Sequence, residues 1–222
     1  MGKKRQIKAN IQKRAKEFWE WFQKNEPEIF NFKNNQDTIF KSLSEKLCSV
    51  HPSLGFAFHE QIQEGKREII FSPNGDKVVI PFLNILYELR PELERWHIIL
   101  YKPRIPISDC LKPIEVKNTV FNPEEIKFVL FAKDTLIYII FFVEGYEDKQ
   151  KKESIQTCVI ILLDQLIGEY NAMTKIGDVM IQPADTPLEK GKKYHLKYLP
   201  LAFDETLKKI EHRRKKQARS HD

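Results

Sequence analysis

Leu54-Gly55-Phe56-Ala57-Phe58-His59, then Arg67-Glu68-Ile69-Ile70-Phe71-Ser72 and the turn Pro73-Asn74-Gly75-Asp76, form the stretch whose reading decides the fold. In the first segment Leu54, Phe56 and Phe58 alternate with small or polar residues, the two-residue period of a half-buried strand. The second is a further strand, and Gly65 in the loop 61–66 predicts that the two pair as a hairpin. Asn74-Gly75 is a strong turn signal. The period then lengthens. Phe82, Leu83, Leu86 and Leu89 make one face of a helix that starts near Pro81, where proline is tolerated in the first turn. Arg90-Pro91 stops it, and 96–102 reads as the next strand.

Moving outward, 103–123 holds Pro103, Pro106, Pro113 and Pro123 and reads as a long connection, with a short strand at 114–117. Beyond it the element order recurs. Strands at 126–133 and 135–145 meet at Asp134, a helix spans 149–170, and a strand spans 175–181. That helix is apolar nearly all round from Ile155 to Ile167 and is expected to be sandwiched, with Asp164 as its costly exception. The halves 54–102 and 126–181 thus read as structural pseudo-repeats by element order only. Upstream, Phe18-Trp19-Glu20-Trp21-Phe22 places four aromatics on an arc of roughly 160° of one helix, running from about 7 to 25. Trp19, Phe18 and Phe22 are expected to be buried and Trp21, at the edge of the arc, to be partly exposed. A second helix is expected over 37–50, capped by Asn34 or Asn35 and ended by His51-Pro52. A last helix is expected from Phe203 to about Lys216, fraying into a basic end. The fold class is α+β, with mostly antiparallel strands and helices packed on one side.

The 222 residues are expected to form a single domain over 17–206, flanked by a basic extension at 1–16 and a basic tail at 207–222. The net charge of +6 hides this distribution. Each flank holds seven Lys or Arg, whereas 17–206 carries 23 basic against 29 acidic side chains. A mildly acidic body with two basic ends differs from a uniformly basic nucleic-acid-binding face. The longest apolar run, 136–143, is far below the roughly 18 residues of a membrane span, and no secretory signal pattern is present. Three cysteines, Cys48, Cys110 and Cys158, lack any CxxC spacing; Cys48 and Cys158 read as core residues. This usage suits a cytoplasmic, reducing compartment.

Catalytic signatures are thin. The six histidines form no HExxH or HxH pattern, so no metal site is expected. There is no GxSxG or SxxK, and no glycine-rich phosphate loop; no cofactor is expected. Ser72 reads as a turn cap. Glu169 follows Gly168 at what reads as a helix C-terminus, where the dipole opposes a carboxylate. Glu169, His97 and Ser72 are the candidates for an unrecognised hydrolase or small-ligand site. Trp19 and Trp21, with Lys3, Lys4, Arg5, Arg213, Arg214, Lys215 and Lys216, are the candidates for binding.

The aromatic helix followed by Asn25-Glu26, the His51-Pro52-Ser53-Leu54 step, the strand from Arg67 with its Asn74-Gly75 turn, Pro91-Glu92-Leu93-Glu94-Arg95-Trp96, and the late Gly168-Glu169-Tyr170 with Ile176-Gly177 together resemble an uncharacterised bacterial cytoplasmic protein family with an FWxWF helix. The resemblance covers about 17–181. It implies a cytoplasmic α+β protein and carries no activity, cofactor or catalytic residue. From the residues themselves, the expected function is a non-enzymatic protein-interaction module that binds a protein partner or itself. The alternatives are nucleic-acid association through the basic ends, and the hydrolase or small-ligand reading above.

Overall fold

A computed structural model describes residues 2–219; the side chains of residues 3, 4, 60, 218 and 219 lie outside that description. The chain divides into two compact units, 1–102 and 103–222. The fold is α+β, and no helix among the described residues is long and apolar enough to cross a membrane.

The first unit opens with α1 (Gly2–Lys24), a short α2 (Glu26–Phe30) and α3 (Gln36–Val50). Asn35 holds the N-cap position of α3, but its side chain makes no cap bond. β1 (Gly55–Gln63) and β2 (Lys66–Ser72) follow, then α4 (Ile80–Glu88) and β3 (Trp96–Leu100). The hairpin turn is tighter than the sequence suggests. Only Glu64 and Gly65 separate the strands, at φ 51° and 78°, the left-handed pair whose twist matches that of the strands. β2 pairs antiparallel with β1 and parallel with β3. The parallel pairing follows from the α4 crossover, which returns the chain to the same end of the sheet.

In register, Arg67, Ile69 and Phe71 stand beside Trp96, Ile98 and Leu100, so alternate residues of both strands face one core. Onto this face α1 lays its aromatic stripe. Phe18, Trp19 and Phe22 are 1%, 2% and 0% exposed, Trp21 is half-buried and Glu20 is exposed. Trp19 meets Phe18, Phe22 and Phe71 edge to face at 5.0–5.8 Å. Arg67, also buried, lies between the rings of Phe30 and Phe32, its guanidinium carbon 5.2 and 4.8 Å from their centroids. Burial lowers its pKa. Among the described residues its Nε and Nη1 have no hydrogen-bond partner, so the aromatic faces supply its compensation.

The second unit begins with α5 (Ile107–Cys110) and a small hairpin, β4 (Ile114–Val116) and β5 (Thr119–Phe121). Lys117 and Asn118, at φ 49° and 63°, turn it. Then come β6 (Lys127–Lys133), β7 (Leu136–Val143), α6 (Lys152–Ile167), α7 (Glu169–Lys175), β8 (Ile176–Pro183), β9 (Tyr194–His195) and α8 (Leu199–Arg219). The sheet order is β8-β7-β6-β9, with β7 and β8 parallel around the α6–α7 crossover. Ile137, Ile139, Phe141 and Val143 of β7 bury against Ile155, Val159, Leu162 and Leu166 of α6 and Leu199, Phe203 and Ile210 of α8.

Three expectations are corrected here. α6 is not sandwiched all round, because Ile160 is 58% exposed. Cys48 is exposed; Cys158 is buried, which pushes its thiol up to about 12. The helix expected over 149–170 ends at Ile167, because Gly168 adopts φ 81°, ψ 141°. Glu169 therefore opens α7 instead of closing α6, and the first-turn dipole there favours a carboxylate.

Candidate interaction groove

The last strand and last helix of the second unit build a groove that the sequence reading did not assemble. β9 pairs with β6 through His195 opposite Lys127 and Tyr194 opposite Phe128, and goes no further. The Leu196 N–H donates to the Ile126 carbonyl at 3.0 Å and pins the chain as it turns into α8. Leu199, Phe203 and Ile210 recur at four- and seven-residue spacing and fill the core. Leu201 falls on the other side of the helix and remains 60% exposed; Tyr198 and Tyr194 are 48% and 46% exposed.

These side chains, with Phe128 and Leu130 of β6 and Ala202, enclose a cavity of about 470 Å³, bordered by Lys192, Glu205 and Thr206. The Lys192 ammonium lies 5.1 Å from the Tyr194 ring, and that of Lys197 lies 5.2 Å from the Tyr198 ring. Lys193 turns away. It donates to the Ala184 carbonyl at 2.7 Å and covers Phe142 at 4.1 Å, which anchors the loop before β9. Because β9 stops at Phe128, the outer edge of β6 over 129–133 has no strand partner among the described residues. The groove thus combines an apolar floor, a border of one lysine and one glutamate, and the outward-facing backbone groups of the open β6 edge.

Arg104 braces the helix wall. Its guanidinium donates to both Asp204 oxygens, at 2.8 and 2.7 Å. Those hydrogen bonds hold the Asp204 carboxyl below its usual range. A depressed carboxyl contributes stability above the unfolded value of about 3.9 and loses it as pH falls through the lower folded value. Both partners are partly exposed, so the effect stays within about 1 kcal/mol. Urea unfolding of Asp204→Asn should therefore lose less stability between neutral and acidic pH than the parent. Identical pH slopes would show the pair to contribute nothing.

The residues singled out as chemistry are scattered. Ser72 is buried at the end of β2; its Oγ accepts from the Asn74 N–H at 2.9 Å and its hydroxyl donates to Asn74 Oδ1 at 3.2 Å, a turn cap. His97 is exposed on β3, with Nδ1 3.2 Å from Glu68 Oε1. Its strand neighbour is Glu68, four residues before Ser72, which separates the two by roughly 13 Å at strand rise. Glu169 is fully buried in the second unit, engaged by its surroundings. Trp19 is buried, and Trp21 packs on the first core with Lys46 Nζ 5.9 Å from its ring. Arg5 is exposed on α1, and Arg213, Arg214, Lys215 and Lys216 are exposed on the distal part of α8, which is helical to Arg219 where fraying was expected. Lys3 and Lys4 lie outside the described side chains. Among the described residues no three His, Cys, Asp or Glu gather at metal-binding distance.

The groove residues had a sequence signal. Tyr194, Tyr198 and Leu201 are apolar or aromatic at four- and three-residue spacing, the face of a helical turn opposite the one that carries Leu196, Leu199 and Phe203. Starting the last helix at Phe203 instead of Leu199 hid it. No protein-family model, curated protein or solved structure matches this chain.

Proposed function

We propose that the chain is a protein-interaction module that receives an extended segment of its partner along the free edge of β6. The observation that carries this reading is the unpaired edge at 129–133 lying beside the groove floored by Leu201, Tyr194 and Tyr198. Strand addition draws affinity from backbone hydrogen bonds and specificity from pockets that take alternate side chains. An exposed Leu201 on a helix that has already buried its own core stripe supports the pocket half of that description. The free edge supports the backbone half.

Linear peptides selected from a random display library with the full chain as bait test it. A selected peptide should slow hydrogen exchange at the outward-facing amides of 129–133, the alternate ones not directed at β7, and Leu201→Gln should weaken it by tenfold or more, about 1.4 kcal/mol. Peptides that protect other strands, or that bind the Leu201→Gln variant unchanged, would overturn the reading.

A further inference from the structure

The second sheet carries apolar side chains on both of its faces. Ile137, Ile139, Phe141 and Val143 point inward to α6 and α8. Where an antiparallel pair has one solvated face, the alternate positions are ordinarily polar. Here the outward positions are Val129 and Phe131 of β6, Tyr138 and Ile140 of β7 and Met180 of β8, set side by side by the register. Phe131 and Met180 are exposed and the other three are partly buried. The Phe131 and Tyr138 rings stack at 5.4 Å and 10°. Gly177 lets the Tyr138 ring lie against β8, where a Cβ would come within 2.6 Å of it. The result is a continuous apolar strip across three strands, the kind of surface that marks an interaction site.

We infer that this strip packs on the same strip of a second copy of the chain, across a two-fold axis parallel to the strands. It lies on the opposite side of the sheet from the groove and does not depend on the strand-addition reading. Charge selects both the partner and the axis. Lys133 stands at the β6 margin of the outer face, and Asp178 stands at the β8 margin, level with Tyr138. Both are exposed, and neither has an ion-pair partner among the described residues. Within one copy they are two strands apart, roughly 10 Å across the sheet, too far to meet. A two-fold axis along β7 sets β6 of each copy over β8 of the other, with the sheets about 10 Å apart. Lys133 then reaches Asp178 of the other copy, one residue pair further along, and the contact occurs twice. An axis across the strands would instead set β6 on β6 and bring Lys127 against Lys133. Single-stranded nucleic acid fits less well, because stacking bases need open ring faces. Phe131 and Tyr138 turn theirs on each other, and Asp178 flanks them. Three strands by seven residues make a footprint of roughly 300 Å² in projection. That is at the small end of specific interfaces, so the dimer is reversible and concentration-dependent.

Sedimentation equilibrium of the full chain over about a hundredfold range of concentration tests this. The parent should pass from monomer to dimer. Phe131→Glu and Met180→Glu, on different strands, should each stay monomeric throughout. Ile160→Glu, at an exposed apolar position on α6, should dimerise like the parent. Circular dichroism and thermal melting check that each variant is folded. Lys133→Asp and Asp178→Lys should each weaken the dimer about tenfold, since two attractive pairs become repulsive. The double variant restores both pairs in the reversed sense and should return to within about threefold of the parent. A parent that stays monomeric over the whole range would overturn the inference. So would a dimer that survives both glutamate variants, or one lost equally in Ile160→Glu. A double variant weaker than either single one would overturn the axis along the strands.

Discussion

Trp19→Ala is expected to cost the first unit about 3–5 kcal/mol, the range for removing a large buried aromatic. Trp19 is 2% exposed and packs edge to face on three other rings, contacts worth something beyond their area. It also has a polar task. At the end of α4 the Arg90 N–H bonds to the Tyr87 carbonyl, and the Trp19 indole N–H donates to the Leu86 carbonyl at 2.7 Å. Terminal helix carbonyls have no partner within their own helix, so the indole caps α4 from another element. Trp19→Phe should keep most of the packing yet still lose about 1–3 kcal/mol, the cost of a buried carbonyl left unsatisfied. Against a typical total of about 5–15 kcal/mol, the alanine variant loses a large fraction of its stability. Urea unfolding followed by far-ultraviolet circular dichroism measures both. A loss below about 1 kcal/mol for Trp19→Ala would mean that the aromatic face of α1 is not packed as described.

Gly168→Ala is the second large effect. At φ 81°, ψ 141° Gly168 ends α6 and starts α7, and it is buried. A side chain there is held in a region that L-residues rarely adopt, at a cost of about 1–3 kcal/mol. The alternative open to the variant is to run α6 on into α7, which would take Glu169 out of the first helical turn, where the dipole favours it. That residue is fully buried, so the alternative is costly as well. A lower thermal midpoint and faster amide exchange over 169–175 are expected. Parent-like stability would show that the break between the helices is not set by this glycine.

Much of the architecture is legible from local pattern. The alternation at 54–58, the hairpin signal at Gly65 and the aromatic arc of 18–22 each correspond to an observed strand, turn or buried face. Where reading fell short, the missing information was of a different kind. β5 is three residues long, too short to show a period, although Asn118 marks its turn. The 149–170 helix looked continuous because its apolar residues keep helical spacing on both sides of Gly168, and periodicity does not register a single backbone angle. The groove escaped because Tyr194, Tyr198 and Leu201 lie on a strand, a 3-10 turn and a helix and are gathered only by folding.

By itself the sequence determined the α+β class, the hairpin–helix–strand order of both halves and the burial of Phe18, Trp19 and Phe22. Each of these depends on the spacing of apolar and turn-forming residues close together in the chain. Tertiary structure alone decided that the third strand of each half pairs in parallel, that Glu169 is buried at the start of a helix, and that the edge of β6 is left open beside Leu201. Those outcomes depend on which distant backbone groups find partners and which do not. That is a property of the assembled sheet, and it is carried by no single segment.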